Sequence, residues 1–390
     1  LEVRTLHVTT VTREAEFDAL KDEWNAAADL AVAPSIFLRH EWFSAAWAWR
    51  RLDSTLALIV ARNDGKLAGV LPLIRSAPRN KERRLELLTV PDTQVADLVA
   101  ARGELADVAE AFAAALARRK DWDTLWLDYL LPEGATVAAL ASAMRRHRLH
   151  VIENERGENP FVSLEGAWAD YYNTRSRSLK KALNLAANRL HRTGEIRVEW
   201  ITPATDDESR FQSALDSAID ISRRSWKSDT GNALDQPGPQ GFIRALSGAA
   251  YQRGWASIWL LHVDRKVLAM EYQLIDNGNV HALRADFDAS CVEISPGSHL
   301  FGELLQRLFQ RGLRRYFLGP GDNPYKKRWT NDGESLLRII VYNRTWRGRR
   351  AWLRDVVLKP ALRRLRDRFV SPRTEAPQAN DPQPAVDHRK

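Results

Sequence analysis

The residues best equipped for chemistry lie between Asn279 and Trp329. In NVHALRADFD, the period of two in a strand puts Val280, Ala282, Arg284, Asp286 and Asp288 on one face, opposite His281, Leu283, Ala285 and Phe287. Two carboxylates and a guanidinium then share a surface near the strand's C-terminal end. A Ser295-Pro296-Gly297 turn follows and opens an amphipathic helix, with Leu300, Leu304, Leu308 and Phe301, Leu305, Phe309 at helical spacings and Gly312 as its C-terminal cap. The unpaired N–H groups and positive dipole end of such a helix suit an anion, particularly a phosphate. After one more strand, a Gly-Pro-Gly loop runs into Asp322-Asn323-Pro324-Tyr325-Lys326-Lys327-Arg328-Trp329.

The elements that must hold these residues come in two similar rounds. In the first, EFDALKDEWNAAADL is helical, TLALIVARNDGKLAGVLPLI is a hairpin turning at Asn63-Asp64-Gly65, ELADVAEAFAAALARRK is an Ala-rich helix and TLWLDYL is a strand. A helix from Thr136 to His147 and the strand HVIENE close it. The second round has helices at Trp168 to Thr193, Asp206 to Ser225 and Pro239 to Arg253, then a hairpin over Ser257 to Ile275 turning at Asp264-Arg265-Lys266. The class is α/β or α+β with a mixed sheet in each half. The expected units are 1–160, 161–343, a basic amphipathic helical segment at 344–370 and a disordered Pro-rich tail at 371–390. Lys227 to Gly241 reads as a long loop, either a substrate lid or an inert insertion, and Ser76 to Arg84 as a polar surface loop.

A net charge of +8 invites a nucleic-acid reading, but its distribution argues against one. Residues 344–390 hold 13 Lys or Arg against 5 Asp or Glu, which leaves residues 1–343 neutral. The tail's arginines among Trp and Leu suit either an anionic lipid surface or a packed helix with snorkelling side chains, and Pro360 is expected to break or kink it. One cysteine, Cys291, excludes an internal disulfide, and the histidines show no metal-ligand spacing, so no metal is expected. No run approaches the ~20 apolar residues of a membrane span. A cytoplasmic protein, peripheral at the inner membrane face if the tail binds lipid, is the expectation.

The order SPGSHL, helix, YFLGPGDNPYKKRW resembles the second half of the GNAT-fold acyltransferases related to the cellulose-biosynthesis protein CelD, kin of the FemAB peptidyltransferases. SRSLKKALNLAANRL, WLLHVDRKVLAMEYQLI and FLRHEWFSAAW fit the same resemblance, which spans about Pro34 to Trp329. It implies tandem GNAT-like halves and transfer of an acyl group from acyl-CoA, acetyl-CoA in the first instance, to an amino group on a small molecule or glycan. Mapped onto this chain, Ser295, Pro296, Gly297, Ser298, His299 and Leu300 would face the phosphates, Tyr325 would protonate the leaving thiolate, and Asp286 or Asp288 would orient or deprotonate the amine. Arg284, Trp226, Asp322, Lys326 and Trp329 are the expected substrate contacts. The phosphate loop departs from the usual GNAT pattern, with Gly297 its only glycine and Glu293 close by. Plainer readings remain: a same-face Arg284–Asp286 ion pair, a packed aromatic at Tyr325 and an ordinary turn at 295–297. Two other functions stand beside acyl-CoA transfer, namely Fem-like aminoacyl transfer from charged tRNA and a non-catalytic module recruited to a membrane assembly.

Overall fold

The structure, a computed structural model, describes residues 6–77 and 82–360. The middle of the Ser76–Arg84 loop, the end of the basic segment and the expected tail at 371–390 lie outside the described residues. The first half contains β1 (His7–Val11), α1 (Glu14–Asp18), α2 (Lys21–Asp29), α3 (His40–Arg50), β2 (Ser54–Leu56), β3 (Leu58–Asn63), β4 (Lys66–Leu71) and β5 (Leu73–Ser76). It continues through β6 (Arg84–Leu87), β7 (Val99–Ala100), α4 (Leu105–Arg118), β8 (Thr124–Leu130), α5 (Ala141–Arg146) and β9 (His150–Ser163). The second half runs α6 (Trp168–Thr174), α7 (Arg177–His191), β10 (Ile196–Ile201), α8 (Glu208–Arg223), α9 (Pro237–Gln252), β11 (Ala256–Val263), β12 (Lys266–Asp276) and β13 (Asn279–Phe287). It ends with α10 (Pro296–Phe309), β14 (Arg315–Phe317), α11 (Pro324–Lys327), β15 (Gly333–Tyr342) and α12 (Trp346–Trp352).

This is a mixed α/β fold in which the sheets of the two halves are fused. Eleven strands form one sheet in the order β10-β11-β12-β13-β14-β9-β15-β8-β6-β5-β2, and four form another in the order β1-β3-β4-β7. Long antiparallel pairing between β9 and β15, from Gly333↔Pro160 to Tyr342↔His150, makes the join. β9 also pairs with β14 of the second half, whereas β15 pairs with β8 of the first. Each half thus lends its last strand to the other's side of the sheet, and the boundary expected at residue 160 falls inside a strand.

In each half two strands run parallel, joined through a helix. β6 pairs with β8 over Arg84–Glu86 and Thr124–Trp126, and β13 pairs with β14 over Asn279–His281 and Arg315–Phe317. α10 follows its expected pattern, burying Leu300, Leu304, Leu308, Phe301 and Leu305, each worth roughly 1.5–3 kcal/mol relative to exposure. It ends at Phe309, short of Gly312, which sits three residues on with φ +66°.

The structure corrects two local expectations. β13 does not keep one alternating face: a bulge at Leu283 makes Gln273 pair with Ala282 but Tyr272 with Arg284, so the sides exchange there. Val280 and Ala282 pack under α10, whereas Tyr272 and Met270, partners of Arg284 and Asp286, belong to the core shared with the first half. The Lys227–Gly241 stretch is anchored, with a 3-10 turn at Trp226–Thr230 and fully buried Ala233 and Leu234. The break or kink expected at Pro360 falls at the limit of the described residues. The backbone widens into a π-helical stretch over Leu353–Leu358, where the Lys359 N–H donates to Arg354 O, and stays helical to residue 360.

Candidate active site

β14 stops at Phe317 while β13 runs on to Phe287, so the two parallel strands part after His281. A cavity of about 430 Å³ opens in the gap. Gln94, from the first half, sits at the apex: its Nε2 donates to Ala282 O at 2.9 Å, and its Oε1 lies 2.9 Å from His281 Nδ1. Burial pushes the His281 pKa down to about 3, so the ring is neutral and Nδ1–H donates. The N-terminus of α10 forms the cavity's far wall. Ser295 turns the chain there with φ +51° and caps nothing with its side chain, while Gly297 and Ser298 line the space. A Cβ at Gly297 would stand 3.1 Å from the Phe287 ring, so glycine lets the helix end close on β13. Arg189, from the antiparallel neighbour α7, donates to Glu293 O at 2.6 Å just ahead of the helix.

On the α10 side of the sheet the floor of the cavity is Glu271, a carboxyl on β12 that is 2% exposed. Gln273 Nε2 donates to it at 2.6 Å and the Tyr316 hydroxyl donates at short range. Burial outweighs both donors and raises its pKa to about 7. Tyr325, half-buried on α11 against Phe301, is pushed well above the usual phenol range by burial and then by the Glu271 charge, so it keeps its proton. Lys326 lies at the cavity edge with its ammonium on Gly319 O (2.7 Å) and Pro320 O (3.0 Å), and burial lowers its pKa to about 8.

The opposite side of the sheet is charged. Arg284, 2% exposed, forks onto Asp92 Oδ2 at 2.7 and 3.0 Å and donates to Asn232 O at 2.8 Å, tying β13 to the first half. Burial pushes the Asp92 carboxyl upward while the guanidinium pulls it back. Lys227 Nζ lies 2.6 Å from Asp286 Oδ1, but off the line of a hydrogen bond, and both Asp286 oxygens are buried without a hydrogen-bond donor. The gap between β13 and β14 is therefore a slot through the sheet, apolar with a buried acid on one side and ionic on the other.

Of the residues singled out from sequence, Arg284, Asp286, Trp226, Gly297, Ser298, Leu300, Tyr325 and Lys326 line this one cavity. Others do not. Asp288 caps the next turn through Ser290 and pairs with Arg224. Trp329 is fully buried with its ring 4.5 Å from Phe301; its backbone N–H donates to Lys326 O at 2.9 Å, and its carbonyl accepts from the Tyr171 hydroxyl at 2.7 Å and from Arg175. Asp322 pairs with exposed Lys327 and faces a neighbouring cavity of about 320 Å³. Pro296 is buried, Ser295 serves the turn, and His299 is held neutral by burial. Glu271, Tyr316, Lys227, Asp92 and Gln94 are additions from the structure. A lone acid in the apolar run VLAMEYQLI was the available signal for Glu271; the loop residues Asp92 and Gln94 offered none.

The first half repeats the diverging strands with different contents. Beyond Glu86 and Trp126 a cavity of about 490 Å³ opens, bordered by the Arg50–Glu86 pair and by Asp128, which is paired to Arg338. Among the described residues none of α4 lines it, so the α4 N-terminus offers no amides to an anion there. Among the described residues no group of three or more His, Cys, Asp or Glu is placed to hold a metal.

Residues 177–327 match the family model described as the GNAT acetyltransferase domain. That span runs from α7 to α11 and contains the helix-end wall and every acid of the cavity. The whole chain is similar in fold to the C-terminal domain of a putative lysylphosphatidylglycerol synthetase from Agrobacterium fabrum, at 14% identity, 91% of this chain, 96% of that one and a TM-score of 0.51. It is similarly close to a conserved protein from Bacteroides thetaiotaomicron (13%, 86% and 100%, TM-score 0.52) and to FemX (12%, 86% and 97%, TM-score 0.51). No curated protein sequence matches the chain. At these identities the likeness is one of fold, a GNAT/FemAB-like one.

Proposed function

We propose that the protein is an N-acyltransferase that moves an acyl group from acyl-CoA to an amino group. The observation that carries this reading is the slot between β13 and β14, closed at one end by the uncapped N-terminus of α10 and floored by a buried acid titrating near neutrality. The residues present fit the donor: free N–H groups at Gly297 and Ser298 with Arg189 nearby suit a pyrophosphate, and Leu300, Phe301 and Leu318 suit an acyl-pantetheine arm. The donor supplies an activated thioester carbonyl. For the chain's own part, Asp286 orients the incoming ammonium and Glu271 accepts one proton from it, directly or through the Tyr316 hydroxyl; as the C–N bond forms and the C–S bond breaks, the nitrogen's second proton passes to the departing sulfur, to which Tyr325 donates a hydrogen bond. An amino sugar or another cell-envelope precursor is the acceptor class we favour.

Calorimetry with CoA tests the donor assignment. Gly297→Asp puts charge and bulk where backbone amides face the phosphates and should weaken CoA binding at least about tenfold in a variant that keeps its melting temperature. Unchanged affinity would place the donor elsewhere. Tyr325→Phe removes one hydrogen bond to a charged atom, worth roughly 1.5–3 kcal/mol, so kcat should fall about 10- to 10²-fold with CoA affinity unchanged. Equal turnover would make Tyr325 a packing residue.

A second reading, aminoacyl transfer from charged tRNA, is favoured by one observation. From Arg175 to Gly194 the chain has six Lys or Arg and no acid, and exposed Arg177, Lys181, Arg189 and Arg192 of this stretch lie along α7 or just beyond it, with Arg189 reaching Glu293 just ahead of the α10 N-terminus. This local ridge departs from the neutral body that composition suggests. Binding of charged tRNA with none of CoA would select this reading.

A further inference from the structure

The terminal helix presents a face that acyl transfer does not explain. Its inner side is fastened to the first half: Gly348 and Ala351 are buried, Thr345 Oγ1 accepts from Gly348 N at 3.0 Å and donates to Asp123 at 3.1 Å, and Trp352 stacks on His150 with ring centroids 5.0 Å apart. Its outer side is apolar and cationic. Trp346 is 66% exposed, Leu353 45% and Val357 44%, and these three recur at i, i+7 and i+11 to form one stripe. Arg347, Arg349 and Arg350 flank the stripe, all exposed and, among the described residues, without an ion pair. The one acid among the described residues of the segment, Asp355, is held by Arg354 and Lys359 rather than offered to solvent.

We propose that this face docks on an anionic bilayer surface. An indole at the level of the headgroups, aliphatic side chains beneath it and arginines beside it, with no acid among them, is the chemistry of an interfacial amphipathic helix. A partner protein helix would cover the stripe equally well but would leave the three arginines seeking carboxylates; acidic lipid satisfies both parts at once. Because the inner face is already packed, the helix lies flat on the molecule and needs no rearrangement to meet the membrane.

The experiment is co-sedimentation of the full chain with vesicles of phosphatidylcholine plus phosphatidylglycerol, against phosphatidylcholine alone. Wild type should bind only the acidic vesicles and detach at 1 M salt, where the Debye length contracts to about 3 Å. Replacing Arg347, Arg349 and Arg350 by Gln should weaken binding about a hundredfold, and Trp346→Ser with Leu353→Ser and Val357→Ser should abolish it, with melting temperatures within a few degrees of wild type because every altered side chain is exposed. Absence of vesicle binding by wild type, or binding that survives the serine triple variant, overturns the proposal. Binding that appears only after residues 361–390 are removed overturns it as well, since the stripe would then be covered by the chain's own C-terminus.

Discussion

Glu271→Gln should lower kcat by about 10²–10⁴ while leaving CoA affinity near wild type, because a proton acceptor is lost but nothing that touches the donor's phosphates. The pH profile makes this specific. With a pKa raised from 4.5 to about 7, the carboxyl is fully ionised only above neutrality, so wild-type kcat should rise through pH 7 and the residual rate of the variant should lack that limb. The same substitution should act oppositely on stability. Glu271 binds its proton more tightly when folded than when unfolded, so its neutral form is favoured in the folded state below pH 4.5 and that stability is lost as pH rises through 7. A shift from 4.5 to about 7 is worth roughly 3 kcal/mol. The glutamine variant should therefore melt above wild type at alkaline pH. Unchanged kcat combined with that higher melting point would make Glu271 a structural acid and sink its catalytic role.

The second large effect is expected at the Asp92–Arg284 pair. Asp92→Ala leaves a guanidinium that is 2% exposed without its counter-ion, and breaking a buried pair from one side costs about 3–5 kcal/mol. Urea unfolding should show it as a lower midpoint. Replacing both partners, Asp92→Leu with Arg284→Met, should return much of the loss, since two well-packed apolar side chains carry no desolvation cost. A single-variant loss below about 1 kcal/mol would mean that water or Asn232 already satisfies Arg284.

How far the fold was legible depended on local period. The stripe of Leu300, Leu304 and Leu308 and the turns at Asp64-Gly65 and Asp264 are local signals, and α10 and both hairpins stand where those signals put them. The fused sheet was not legible, because the pairing of β9 with β15 and of β15 with β8 joins residues far apart in sequence with no local mark. Gly297 and Tyr325, each positioned by a single turn, line the cavity where the sequence puts them together. Asp288 was not placed, because the Leu283 bulge and its cap on Ser290 redirect the strand end. Asp92 and Gln94 reach the site across the seam between the halves, which no spacing rule encodes.

The exchange of final strands has a consequence for synthesis. β8 acquires its neighbour β15 only after Gly333–Tyr342 has been made, some two hundred residues later. Until then the nascent first half presents the bare edge of TLWLDYL, an aromatic and aliphatic strand of the kind that recruits other chains. A fragment ending near residue 160 should therefore aggregate rather than fold, and refolding of the whole chain should be slow and limited by closure of this long loop. Adding a separately made second half to the first should rescue solubility, because only then can both borrowed strands be returned.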